Sequence, residues 1–322
     1  MTLAPYVRIL GRGPGRSRAL TLSEAFEAMT LILNGDAAPE ATGALLMLLR
    51  MKGETAQELA GFVQAARQSM DWTGVHPVLD WPSYAAGRTR GLPWFLLSAK
   101  LVAQAGYPVL LHGWNSHQNT HADVQQGCNR LGITVTADQA AAQQVLQTQG
   151  IAYVPLRAVS PALFDLLRLR DVLGLRSCIN TVLRLLNPCA APASVQGVFH
   201  PSYREVQMDA CALLGQPGLS VIKGGGGEFE CHPSKDITAF GLRNATPWSE
   251  TFGATHSDLR RLAEGPQDPA HLAALWAGDH RDDFARSIVL STTALALHTL
   301  NVPQPAKVAQ TLWSNRNTAQ AA

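Results

Sequence analysis

A change of texture at residues 71–82 constrains the fold more than any other feature of the chain. This stretch carries Trp72, Gly74, Pro77, Trp81 and Pro82, a composition that interrupts regular structure. Before it, apolar residues recur at three- and four-residue steps. After it, short β-branched runs alternate with helical patterns. Such a switch predicts a small all-helical domain followed by a larger α/β domain, with a mostly parallel central sheet covered on both faces.

In the helical part, Leu22, Ala25, Met29, Ile32 and Leu33 form one stripe, with Thr21 or Ser23 as cap and Gly35 as stop. A second helix, from about Ala41 to Met51, is apolar nearly all round and is expected inside the domain. A third has Thr55 as cap and turns Leu59, Phe62, Val63 and Ala66 inward. Residues 1–19 hold three glycines and two prolines and are expected as an irregular arm. Beyond the switch, strands are expected at PVLDW, YPVLLHG, IAYVPL, SVQGVFH, LSVIKG and FECH, and a long buried helix between Asp279 and Leu300. The division predicted is a helical domain at 1–72, joined by helices near 161–187, and an α/β domain at 73–160 and 188–322.

Composition narrows the function. With 46% apolar and 16% charged residues the chain is not disordered, and a net charge of +2 excludes a uniformly polybasic protein. Any basic surface must be local. Of the 26 basic residues 21 are Arg, a bias that suits phosphate recognition and that a GC-rich genome also produces. The five cysteines are scattered without zinc-ligand spacing, which fits reduced thiols in a cytoplasmic protein. No signal-peptide core or uninterrupted apolar span of membrane length is present, so no membrane partner is expected. Gly224 to Gly227 reads either as a phosphate cradle or as a flexible turn. His112, His117 and His121 cluster, but only the latter two stand at helical i, i+4 spacing; a metal site needs a third ligand, so they read as hydrogen-bonding or surface histidines and no metal is assigned.

Residues 22–67, with the words ILNG, GALLMLLRMKGET and ELAGF, resemble the helical domain of anthranilate phosphoribosyltransferases and their nucleoside-phosphorylase relatives (glycosyltransferase family 3). The resemblance continues through YPVLLHG, where those enzymes have a KHGN segment. RDVLGLRSCINTVLRLLNP is similar to their RxxLGxRTxxNxLGPLxNP, and VIKGGGGEFE to their glycine-rich strand end with an Asp-Glu pair. It implies the two-domain fold above, a homodimer through the helical domain, and transfer from phosphoribosyl pyrophosphate with Mg²⁺.

The motifs of that chemistry are altered. WPSYAAGRTR stands where the GTGGD phosphate loop belongs, and Leu111 replaces the lysine before His112-Gly113. Glu228 falls on the Asp of the metal pair and Phe229 on its Glu. Glu230 is displaced by one residue, which in a strand would turn it to the opposite face. The residues left to a vestigial phosphate and substrate cleft are Gly87, His112, Gly113, Asn115, Arg170 and Glu228, with Arg176 and Asn180 beside them. Arg170 matches an arginine that, by the resemblance, holds the anthranilate carboxylate. No catalytic residue, metal ligand or cofactor is assigned.

In these departures, and in HPSYREV, the chain is most similar to the YbiB-type branch, a DNA-binding group of the same fold. The leading expectation is therefore a cytoplasmic homodimer that binds DNA or other nucleic acid without sequence preference, through basic segments poor in acids. Three such segments stand out: Arg12, Arg16 and Arg18 (with Arg8) in the arm; Arg88 and Arg90 (with Lys100); and Arg168, Arg170, Arg176 and Arg184, offset by Asp165 and Asp171. Arg176 and Arg184, eight residues apart, are expected on one helix face. A solvated tail, an exposed turn and intrahelical ion pairs are the plainer explanations of the three. The alternative is a phosphoribosyltransferase using phosphoribosyl pyrophosphate and Mg²⁺. A regulatory dimer holding a small anion in the vestigial cleft is the third.

Overall fold

Thr21 and Thr55 set the helical domain. Each threonine hydroxyl accepts from the backbone N–H of the glutamate three residues on, and that carboxylate accepts from the threonine N–H. In the computed structural model, which describes residues 2–13, 15–85, 91–114, 123–261 and 264–317, these boxes start α2 (Leu22–Leu33) and α4 (Ala56–Gln68). Between them lies α3 (Pro39–Lys52), and α1 (Ala4–Gly11) precedes all three. Glu58 is fully buried. Its carboxylate accepts from the N–H groups of Leu20 and Thr55 and pairs with Lys52 Nζ at 2.8 Å. A buried charge is tolerated only when its lone pairs are filled in this way. Gly61 lets α2 and α4 touch, since a Cβ there would strike the Leu22 carbonyl.

Two expectations for this region fail. The arm is helical over Ala4–Gly11 because Pro5 suits a first helical turn and Leu3 and Leu10 are buried. Helix α3 is not wholly internal: Leu45, Leu46 and Leu49 are buried, but Met51 is 81% exposed.

After α4 the chain runs β1 (Leu79–Ser83), α5 (Phe95–Gln104), β2 (Val109–Gly113), α6 (Val124–Arg130), β3 (Thr134–Val135), α7 (Gln139–Gln149), β4 (Ile151–Pro155), α8 (Leu156–Val159), α9 (Pro161–Leu173), α10 (Ile179–Arg184), β5 (Ala193–Val198), α11 (Tyr203–Leu213), β6 (Gly218–Lys223), β7 (Ile237–Arg243), β8 (Thr246–Phe252), α12 (Ala270–Ala277), α13 (Asp283–Thr299) and α14 (Pro305–Asn315). The eight strands form one sheet in the order β3-β4-β2-β1-β5-β6-β7-β8. Strands β1 to β6 pair in parallel, and β7 and β8 add antiparallel to the β6 edge. The helical domain followed by an α/β domain with a mostly parallel sheet is thus the fold that the texture change predicted.

Strand alternation divides the interior. Leu110, Val154, Leu219 and Val221 face a core shared with α2, α3, α4, α9 and α10. Leu111, Tyr153 and Ile222 face the opposite core, shared with α5, α12, α13 and α14. FECH is not a strand; the chain after Lys223 passes through a glycine turn and runs irregularly to Ile237. Among the described residues, no helix is long and apolar enough to cross a membrane.

Candidate functional site

Helix α9 stops at Gly174, whose left-handed conformation (φ 68°) lets its N–H reach the Arg170 carbonyl. The chain then doubles back into α10. This turn brings Arg170, Arg176 and Arg184 together with Arg50 of α3 around one cavity of about 640 Å³, closed on its other side by Phe199, Tyr203 and Gln207. Arg50 Nη1 donates to the Arg176 carbonyl at 2.8 Å. Burial lowers the Arg176 pKa, and repulsion from Arg170 and Arg50 lowers it further. The cleft is crowded with positive charge. Its acid, Glu54, accepts from the Tyr203 hydroxyl at 2.7 Å.

Arg184 forms the floor. It is 9% exposed, and its guanidinium donates to the carbonyls of Tyr84 at 3.2 Å and Asn180 at 3.4 Å. Burial lowers its pKa, an effect that nearby Glu228 opposes. Two further buried side chains face this cavity with unused capacity: neither Asn180 Nδ2 nor the Gln207 amide oxygen and nitrogen has a protein partner. Buried polar groups normally find partners. Here the open capacity is mainly donor, the complement of an acceptor-rich anion.

Beneath the cleft, His112 is fully buried. One ring nitrogen lies 2.9 Å from Asp80 Oδ1 and the other 2.8 Å from the Tyr84 hydroxyl, while Ser194 Oγ donates to Asp80 Oδ2 at 2.8 Å. With both Asp80 oxygens accepting, Nε2 donates to Oδ1, and Nδ1 is paired with the Tyr84 hydroxyl. His112 thus braces the strands rather than lining the cleft. Gly113 packs equally tightly, because a Cβ would strike the Ser83 carbonyl.

Glu228 is 2% exposed, and its Oε1 accepts from Ser83 Oγ and from the Ala85 N–H, both at 3.0 Å. Phe229 is buried edge-on against Trp81, with centroids 5.5 Å apart. Glu230 does not lie as strand alternation predicted, because the segment is not a strand; its Oε2 accepts from the Phe95 N–H at 2.9 Å, at the start of α5. The acids therefore serve the backbone at the end of β1 and the start of α5. No group of three or more His, Cys, Asp or Glu able to hold a metal occurs among the described residues.

The other predicted residues separate. Gly87, Arg88, Arg90 and Asn115 lie outside the described residues. Arg12 and Arg16 are exposed. Arg18 is not free of acids, since it forms a two-pronged pair with Glu24 at 2.6 Å. Arg168 is exposed and 3.9 Å from Asp171. Arg184 is buried, and the eight-residue spacing to Arg176 is no helix face because α10 begins only at Ile179. Lys100 donates to the Leu131 carbonyl and stacks over Trp276, so it offers no open charge. The N–H groups of Gly224, Gly225 and Gly227 are already used by backbone carbonyls, which makes that run a turn and not a phosphate cradle. All five cysteines are free thiols, and burial pushes Cys211 and Cys231 up to about 12.

Sequence reasoning missed Arg50, Phe199, Tyr203 and Gln207. Arg50 could have been found, as a cation interrupting an otherwise apolar helix. Gln207 carries no such signal.

Residues 4–70 match the helical bundle domain of a glycosyl transferase family. The chain is similar to anthranilate phosphoribosyltransferase of Bacillus caldotenax, 32% identical over 70% of this chain and 94% of that one. The enzyme of Pelotomaculum thermopropionicum is 32% identical over 86% and 82%. Among solved structures, anthranilate phosphoribosyltransferase from Thermus thermophilus superposes with a TM-score of 0.79 at 22% identity over 100% of both chains. The Saccharomyces cerevisiae enzyme in complex with PRPP and Mg does so with 0.77 at 16% identity, over 99% of this chain and 94% of that one.

Proposed function

The chain belongs to the anthranilate phosphoribosyltransferase family, and from that premise we propose that it takes a phosphoribosyl donor into the arginine cleft and acts as a phosphoribosyltransferase. The observation that carries this reading is the convergence of Arg50, Arg170, Arg176 and Arg184 on one cavity whose buried Asn180 and Gln207 hold unpartnered polar atoms. Guanidinium and amide donors suit phosphate oxygens, and the Gln207 carbonyl suits a sugar hydroxyl. Phe199 and Tyr203 offer rings against which a planar acceptor can lie.

Of the acid pair that would hold the Mg²⁺ implied by the family, the described residues keep only Glu228, whose Oε1 accepts from Ser83 and Ala85, and Phe229 stands buried in place of the second acid. One carboxylate does not make a site for that ion. Guanidinium groups supply the countercharge instead, and Arg184 lies where that charge is least screened by water. Calorimetry with phosphoribosyl pyrophosphate, with and without Mg²⁺, tests the reading, followed by pyrophosphate release with anthranilate as the first acceptor. Binding of the donor with turnover supports it. Absence of binding under both conditions overturns it.

A second reading, nucleic-acid binding as in the YbiB-type branch, is favoured by the exposure of Arg12, Arg16 and Arg168. A homodimer through the helical domain would present each of them twice. If ~4–6 phosphates are neutralised, the affinity for duplex DNA falls with salt at a log–log slope of about −4 to −5. No binding at low salt removes this reading and leaves the first intact.

A further inference from the structure

A second cavity, of about 320 Å³, lies between the β7–β8 hairpin and helices α13 and α14, with Ile237, Phe252, Leu290, Ala294 and Leu295 as apolar walls. His232 and Lys235 also line a neighbouring cavity of about 260 Å³, which adds Arg204 and Lys223. The two cavities adjoin at these residues, the first mostly apolar and the second holding the cations.

The cationic side is built. Arg204 is held by the Pro201 carbonyl at 3.1 Å and the Thr238 carbonyl at 2.9 Å, and its guanidinium lies over the Phe240 ring. The acid nearby, Asp236, accepts from the Ala254 N–H at 3.0 Å. Lys223 and Lys235 are exposed and enter no ion pair among the described residues. Burial, and then the charge of Lys235 and Lys223, lowers the pKa of His232, as a site of positive potential requires.

We propose that the two cavities together form a binding site for an amphipathic carboxylate, its hydrocarbon body in the apolar cavity and its carboxylate among Lys235, Lys223 and Arg204. A mostly apolar pocket with a few convergent polar groups at one end is the usual form of a small-molecule site. The apolar walls reward burial of hydrocarbon, and the cations choose the sign of the head group. This site shares no lining residue with the arginine cleft and stands apart from the reading given for it.

Calorimetry with decanoate below its micelle concentration tests the proposal, with decanol and acetate supplying the body and the head group separately. Decanoate is expected to bind more tightly than either by roughly tenfold. Lys223→Glu, a surface change outside the apolar cavity, should weaken decanoate by roughly tenfold and leave decanol unchanged. Ala294→Trp, which fills the apolar cavity, should abolish both. Equal binding of decanoate and decanol, or decanoate affinity indifferent to Lys223→Glu, overturns the proposal. So does the absence of decanoate binding.

Discussion

The arginine cleft and the cavity beside the hairpin differ in what folding leaves unsatisfied. In the cleft it is polar capacity: Asn180 and Gln207 are buried with unpartnered amide atoms, among arginines that repel one another. Beside the hairpin it is apolar surface, since Ile237, Phe252, Leu290 and Ala294 are only partly buried. An unpartnered buried polar group costs about 1–3 kcal/mol. Trp81 Nε1 and Gln196 Oε1 are buried without partners too and line neither cavity, so it is the convergence of such atoms with four arginines that supports the proposed donor site. The two deficits ask for different molecules, one rich in acceptor oxygens and one largely hydrocarbon.

The most severe way to break the comparison is to remove the polar bracing under the cleft. Asp80→Ala leaves His112 and Ser194 buried without their acceptor, two orphaned donors that should together cost about 2–5 kcal/mol of stability in a denaturant titration. A loss below about 1 kcal/mol would mean that the cleft side is held by apolar packing, like the hairpin side. Next in size is Arg184→Met. Pyrophosphate affinity should fall by roughly tenfold to a hundredfold. Stability should fall by no more than about 1 kcal/mol, because relief of the buried guanidinium offsets most of the loss of its two carbonyl bonds and of its attraction to Glu228. A large fall in stability beside the fall in affinity would make Arg184 a structural strut.

Both cavities were only partly legible in the sequence. The caps Thr21 and Thr55 could be read because capping is local chemistry over four residues. The parallel strands could be read because burial on both faces writes continuous apolar runs. Arg184 could not: its spacing to Arg176 mimics a helix face, and only the turn at Gly174 and the approach of Tyr84 reveal it as the cleft floor. The β7–β8 hairpin escaped notice because its turn is Asn244-Ala245, with φ of 49° and 61°. Asn-Gly is the usual signal for that conformation, and alanine rarely adopts it. Without the hairpin, the apolar cavity has no second wall and cannot be inferred.

A smaller effect sharpens the polar side of the comparison. Gln207→Leu removes a fully buried amide that has no protein partner. Stability should rise by about 1 kcal/mol while pyrophosphate affinity falls. A destabilised variant would show that Gln207 is satisfied in solution by bound water, and the cleft would then resemble a hydrated interior more than a prepared site.

The smallest expected effect sets the baseline for the others. Arg18 holds the Glu24 carboxyl down at about 2 against an ordinary 4.5, a shift that burial opposes and the Thr21 N–H assists. A depressed carboxylate contributes its stability in full above its unfolded pKa and loses it as pH falls through the folded one. Glu24→Gln should therefore flatten stability between about pH 4.5 and pH 2 and change nothing at neutral pH beyond the loss of one exposed pair. Glu24 lines neither cavity, so pyrophosphate and decanoate affinities should both match the unaltered protein. If either moves, the helical domain transmits strain into that cavity, and the effects of Asp80→Ala and Arg184→Met would need to be measured against that coupling before being assigned to the cleft.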